Sequence, residues 1–284
     1  MRIGILSSKK KGLPSHYSGT QLYNEILKRG FEPVVADVSD ILCGVGEGFS
    51  YSFAGKKIDF CLYQMLSEGS HARMILRHLE NCGVRTLNSS KAIANSSNKY
   101  LTYLNAKRAG IKILKTFLLN TKDPLEGISK KLGFPFVLKP VSGEGGFGLY
   151  KVESLEEASS ILSEETFPIL CQEYLQKKEN KDLRIYVIGG EVVCGIYRYG
   201  KDWISNISHG SEIKPMREIP EEVKEFALRA LKCNGLEMAG IDLFEGEEYI
   251  LGETNSVPGF RGVFEATGIK LEEKIIDYVV EVMR

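Results

Sequence analysis

Residues 134–148 read Phe134-Pro135-Phe136-Val137-Leu138-Lys139-Pro140-Val141-Ser142-Gly143-Glu144-Gly145-Gly146-Phe147-Gly148. Phe134 to Lys139 reads as a short strand; a loop from Ser142 to Gly148 follows, and then another strand. Gly143, Gly145, Gly146 and Gly148 fall within six positions, so the backbone can bend tightly and approach a ligand closely. Free N–H groups in such a loop can cradle phosphate oxygens. Lys139, at the strand end, stands where it can neutralise phosphate charge. No Gly-Lys-Ser/Thr follows, so this is not a Walker loop, and the lack of H-R-D and D-F-G argues against a protein kinase. A flexible hairpin turn would use glycines in the same way, so the loop alone assigns no ligand.

Downstream, Met238 to Phe244 and Glu248 to Asn255 read as a hairpin. Glu253 and Asn255 are two apart on one strand and face the same way. With a turn at Gly246-Glu247, Asp242 pairs with Leu251 and lies diagonal to Glu253, about 7–8 Å away. Two carboxylates and an amide oxygen converging there suit magnesium, a hard cation that takes oxygen ligands shared with phosphates. The neighbours Ala239, Gly240, Ile241, Leu243 and Phe244 look buried, so gathered negative charge needs a compensating cation. Gln172-Glu173-Tyr174 ends a strand, with Asp182 and Arg184 after a short connector; such an end can present backbone groups to a base edge. Arg198 offers a planar fork to an anionic intermediate, with Asn206 and His209 further on, and Trp203 reads as a packing anchor.

Upstream, Ile3 to Leu6, Val34-Val35 and Phe60 to Met65 read as strands. Ser18 is placed to cap a helix closed by Gly30, and Ala72, Ile75, Leu76 and Leu79 form a helical face. The alternation implies a small parallel sheet. The glycine pattern from Cys43 to Gly48 lacks dinucleotide-fingerprint spacing and reads as a loop. Ser97 is placed to cap a helix from Asn98 to Ala109. Leu183 to Tyr199 reads as two strands about a Gly189-Gly190 turn. Helices over 221–234, closed by Gly235, and over Leu271 to Val282 complete the chain.

The 284 residues suggest two domains, or three small ones. Apolar residues, at 43%, suffice for a core, and 37 basic residues balance 37 acidic ones, so no general electrostatic pull toward nucleic acid or membrane exists. MRIGILSS reads as a strand running into a polar loop, too short for a signal peptide. The six scattered cysteines read as buried free thiols, and a cytoplasmic protein is expected.

The ordered set Asn98-Lys99, Val137-Leu138-Lys139 with its glycine loop, Gln172-Glu173-Tyr174, Asp182-Leu183-Arg184, Arg198, Ser205-Asn206, Ala239-Gly240-Ile241-Asp242 and Glu253 to Gly259 resembles the RimK-like branch of the ATP-grasp ligases, which includes LysX-type enzymes. The match runs over nearly the whole chain, and the combination is specific where each motif alone is not. The resemblance implies an α/β and α+β protein with the ATP-grasp fold. A Rossmann-like N-terminal domain (1–88) would precede a central lobe (89–171) and a C-terminal lobe with the metal site (172–284). It implies that Lys99 and Lys139 contact ATP phosphates under the loop of Ser142, Gly143, Glu144, Gly145, Gly146 and Gly148. Gln172, Glu173, Tyr174, Leu175 and Asp182 would receive the nucleoside, with Ser205 nearby. Arg198 and Asn206 would meet the transferred phosphate, and Asp242, Glu253 and Asn255 would hold two magnesium (or manganese) ions. Arg261 is placed to pair a substrate carboxylate.

The implied reaction joins an amino acid such as glutamate, through an acyl phosphate, to a carboxylate on a cofactor, a protein C terminus or a carrier protein, in a homo-oligomer. A LysX-type ligase acting on an amino-group carrier protein, a non-catalytic ATP-binding regulator and a kinase stopping at the acyl phosphate are the alternatives. His209 and Ser211 depart from the basic residue and glycine common in relatives, and Ile204 matches some LysX-like enzymes, so acceptor choice is placed there.

Overall fold

The computed structural model describes residues 1–65, 70–143, 147–203 and 211–284. Three sheets organise them. The first begins with β1 (Arg2–Leu6), followed by the two-residue ladder β2 (Lys9–Lys10) and β3 (Leu13–Pro14) and by α1 (Tyr17–Lys28). Then come β4 (Glu32–Ala36), β5 (Ile41–Val45), β6 (Phe49–Phe53), β7 (Phe60–Tyr63), α2 (Ser70–Asn81) and β8 (Arg85–Leu87). Strands β4-β1-β7-β8 pair in parallel, as the strand–helix alternation predicts. Ala72, Ile75, Leu76 and Leu79 are the buried face of α2.

Two local readings change. The cap of α1 is His16, whose Nδ1 accepts the Gly19 N–H at 3.2 Å. Ser18 instead accepts the Phe260 N–H from across the molecule. The Cys43–Gly48 stretch is not a plain loop: β5 runs through Val45 and pairs with β6 as a hairpin. Its glycines serve the turn and the close packing of Gly44 on Ser50.

The central part opens with α3 (Ser90–Ser96), which the sequence reading missed, and α4 (Lys99–Arg108), capped by Asn98 rather than Ser97. Next follow β9 (Thr116–Leu119), α5 (Leu125–Leu132), β10 (Phe136–Pro140), β11 (Tyr150–Val152), α6 (Leu155–Glu164) and β12 (Ile169–Glu173). The antiparallel order is β11-β10-β12-β9. Alternation on β10 assigns its faces. Phe136 and Leu138 join the core under α5 and α6, while Val137 and Lys139 line the opposite, open face.

The third sheet comprises β13 (Lys181–Ile188), β14 (Glu191–Tyr199) and β15 (Glu212–Pro215), then, after α7 (Glu221–Cys233), β16 (Met238–Phe244) and β17 (Ile250–Asn255). Helices α8 (Arg261–Thr267) and α9 (Leu271–Val282) close the chain. The order is β15-β14-β13-β16-β17. One face, with Leu183, Ile185, Ala239 and Ile241, packs on Ala227, Ala230 and Leu231 of α7. On the other, Tyr186, Ile188, Ile196 and Met238 meet α1, α9 and the first sheet in a shared core. At the far end of that second face stand Asp182, Arg184, Arg198 and Asp242.

Asn88 ties the first sheet to the third. Its Nδ2 donates to the Met238 and Ser256 carbonyls (2.8 and 3.1 Å), and its Oδ1 accepts the Glu237 and Met238 N–H groups (2.8 and 2.9 Å). A domain division at 88/89 is proposed; the expected boundary at 171/172 falls inside β12, whose Gln172 and Glu173 belong to the central sheet.

Candidate active site

A cleft lies between the open faces of the second and third sheets. Lys99, Lys139, Gly143, Gln172, Glu173, Tyr174, Leu175, Asp182, Arg198, Asp242 and Glu253 line it. Leu114, Val137, Leu149 and Phe244 give it an apolar wall. Ser142, Gly148, Asn255 and Arg261 are not part of the lining. The expectations for Glu144, Gly145, Gly146, Ile204, Ser205, Asn206 and His209 lie outside the described residues.

Lys139 is buried, and its ammonium donates to Tyr103 Oη and Gln172 Oε1, both at 2.7 Å. Burial lowers its pKa to about 8, with Glu253 pulling the other way. Tyr103 Oη in turn donates to the Gly252 carbonyl at 2.9 Å, joining α4, β10 and β17. Tyr103 was invisible as a site residue because it reads as one more aromatic on a helix. Lys99 starts α4; its Nζ donates to the Gly143 carbonyl at 2.7 Å and lies 3.4 Å from Glu253. Gly148 adopts φ +70°, and a Cβ there would come 3.3 Å from Pro140, which is why the loop's exit needs glycine.

At the apolar end, Glu173 Oε1 accepts the Lys115 N–H at 2.7 Å, so that side chain is held by its own sheet. Tyr174 carries Lys151 Nζ 4.7 Å over its ring and meets Trp203 edge-on at 6.2 Å. Trp203 therefore lines the cleft rather than anchoring a core.

The carboxylate end departs from the expected register. A bulge between Asp242 and Leu243 places Asp242 directly opposite Glu253. The pairs Phe244–Ile250 and Leu243–Leu251 precede it, and Gly252 is the extra residue. Gly252 carries no side chain because Phe244 fills that space: a Cβ would fall 3.0 Å from its ring. Asp242 accepts from Arg184 through both oxygens (2.6 and 2.7 Å) and from Arg198 at 2.8 Å. Arg198 also holds Asp182 at 2.7 Å. Burial alone would raise the Asp242 carboxyl; Arg184 and Arg198 outweigh it and hold the group below its ordinary value. Burial pushes Asp182 up, against the pull of Arg198. The compensating cations expected beside Asp242 thus include two arginines of the chain itself, and Arg184 is a member of the cluster that the sequence reading did not place among the site residues.

Asn255 Oδ1 accepts the Val257 N–H at 2.9 Å. Exposed Arg261 stacks 5.0 Å over the Tyr17 ring. Among the described residues, no three His, Cys, Asp or Glu side chains gather into a metal cluster. The two opposed carboxylates and nearby amide nevertheless suit a hard cation that completes its shell with phosphate oxygens, and both carboxylates face the cleft that holds Lys99 and Lys139.

A cleft between two antiparallel sheets, with lysines on one wall, carboxylates on the other and an apolar slot at one end, has the chemistry to hold a nucleotide and a divalent cation. The RimK-like ATP-grasp domain family matches residues 96–279. A probable alpha-L-glutamate ligase of Legionella pneumophila is 34% identical over 212 residues, 72% of this chain and 70% of that one. The alpha-aminoadipate–LysW ligase LysX of Sulfurisphaera tokodaii is 30% identical over 75% of this chain and 78% of its own. The ATP-grasp ligase PsnB, solved with minimal precursor, Mg and ADP, superposes with a TM-score of 0.76 at 22% identity, covering 100% of this chain and 97% of that one. The chain belongs to the RimK-like ATP-grasp family and is an ATP-grasp ligase. Ligases of this class use ATP and magnesium. Among the described residues, no helix is long and apolar enough to cross a membrane.

Proposed function

We propose that this ligase adds an amino acid, glutamate in the first instance, to a carboxylate presented by a peptide, protein C terminus, carrier protein or cofactor, forming ADP. The observation that carries the reading is the convergence of Lys99, Lys139, Arg198, Asp242 and Glu253 on one cleft with an apolar slot. Val137, Leu114, Tyr174 and Phe244 would hold the adenine, with the strand end at Glu173 to Leu175 offering backbone groups and Asp182 the ribose side. Lys99 and Lys139 would bind the phosphates, and the loop from Ser142 to Gly148 would cover them. Arg198 would steady charge on the transferred phosphate, beside Asn206. Asp242, Glu253 and Asn255 would hold two magnesium ions, which when bound neutralise phosphate charge. No side-chain nucleophile is required; catalysis is positioning and charge neutralisation. Arg261 would receive a carboxylate at the mouth of α8.

Relatives named for glutamate ligation and for LysW modification support the amino-acid donor and keep a carrier protein among the acceptors. The reading includes a cytoplasmic homo-oligomer, to be sized by light scattering. The test is ADP release with single amino acids against peptide, carrier and cofactor carboxylates. Stimulation by one donor–acceptor pair, lost in Asp242→Asn, is expected. ADP release without any amine, with hydroxylamine-trapped acyl product, would instead show a kinase, and full activity of Asp242→Asn would remove the metal assignment.

A further inference from the structure

Both oxygens of Asp242 are engaged by guanidinium groups. Arg184 takes Oδ1 and Oδ2 as a fork, and Arg198 adds a second bond to Oδ2. A divalent ion joining a buried carboxylate that two guanidiniums already hold meets strong like-charge repulsion, which the departure of one arginine relieves. Arg198 is the poorer candidate. It is 2% exposed and fixed at its other side by Asp182. Arg184 makes its two side-chain bonds to Asp242 alone among those described, and its side chain is 12% exposed. Its stem crosses Gly240, where a Cβ would fall 3.4 Å from Arg184 Cδ and 3.1 Å from Pro258. Glycine there leaves the stem its room.

We propose that Arg184 is a stand-in cation for the metal at Asp242: it neutralises Asp242 until nucleotide and metal arrive together, and its displacement makes metal uptake at Asp242 conditional on nucleotide. This rests on the reading of Asp242 as a metal ligand. Arg184 acts here as a positioning residue, through Asp242 and not on the substrate.

The test is manganese binding, followed by the free-ion electron paramagnetic resonance signal, on the full chain with and without a non-hydrolysable ATP analogue. Without nucleotide, Arg184→Gln should bind manganese at least about tenfold more tightly than the unsubstituted protein. With the analogue the two should converge. The gain should vanish in Arg184→Gln/Asp242→Asn. If Arg184→Gln fails to fold, Arg184→Lys, which keeps the charge but cannot span both oxygens, should show a smaller gain of about threefold. Equal affinity of the folded variant and the unsubstituted protein without nucleotide overturns the proposal, as does a gain that survives Asp242→Asn. If the unsubstituted protein takes up no manganese even with the analogue, the metal reading itself falls, a result distinct from failure of the Arg184 step.

Discussion

Lys139 carries two opposed consequences of burial. Its ammonium sits between Tyr103 and Gln172, with a pKa near 8 in place of 10.5. In the free enzyme the charge that would meet a phosphate is therefore present below about pH 8 and lost above it. The apparent KM for ATP should rise between pH 8 and 9.5, while Lys139→Arg, which keeps its charge, should flatten the profile. Stability runs the other way. The folded amine releases its proton near pH 8, whereas the unfolded chain holds it to 10.5, so the unfolded state binds more protons across that window and folding is favoured as pH rises through it. Urea titrations at pH 7.5 and 10 should show the contribution, and Lys139→Met should abolish both trends. Its place at the strand end before the glycine loop already points to phosphate in the sequence. Its lowered pKa comes from α4 and β12 closing around it, contacts 36 and 33 residues away.

The hairpin of β16 and β17 shows what an element's local pattern can and cannot disclose. Alternation placed Asp242, Glu253 and Asn255 on one side, and they are. Their register depended on one extra residue, Gly252, that alternation does not see: with a tight turn Asp242 falls opposite Leu251, whereas the observed partner is Glu253. A bulge is legible only from what packs at it, here the Phe244 ring and the Tyr103 hydroxyl. The same limit hid the role of Arg184: it stands out in the Asp182-Leu183-Arg184 motif, but its partner appears only when β16 pairs with β13 and brings Asp242 against it. Gly252→Ala should therefore act at both levels. Its Cβ would meet the Phe244 ring at 3.0 Å and the Asp242 carbonyl at 3.3 Å, an overpacking worth about 1–3 kcal/mol. Thermal melting should fall accordingly, and the KM for ATP should rise because Phe244 lines the cleft. A melting temperature unchanged by the substitution would mean the bulge is not held by this contact.

Across the whole molecule, Asn88 is one of the buried polar ties that join the parallel sheet to the carboxylate strands. It follows β8 of the first sheet and satisfies four backbone groups around β16 and the exit of β17, all within 3.1 Å. Nothing in the stretch Arg85-Thr86-Leu87-Asn88-Ser89 marks it, since its partners lie some 150 residues away. Asn88→Ala would remove its bonds to two N–H and two C=O groups at a site that is 1% exposed. Each such group costs about 1–3 kcal/mol, partly relieved by water entering, so a loss on the order of 3–5 kcal/mol is expected. The position of the loss distinguishes two accounts of how the sheets cooperate. If the first and third sheets unfold as one unit, Asn88→Ala should shift a single urea transition to lower midpoint with the slope unchanged. If they are separable, the transition should split, and hydrogen exchange should rise first along β1 and β7 while β13 and β16 stay protected. The shared core of Ile3, Phe60, Tyr186, Met238 and Ile275 favours the single transition, because neither sheet can expose its face there without exposing the other's.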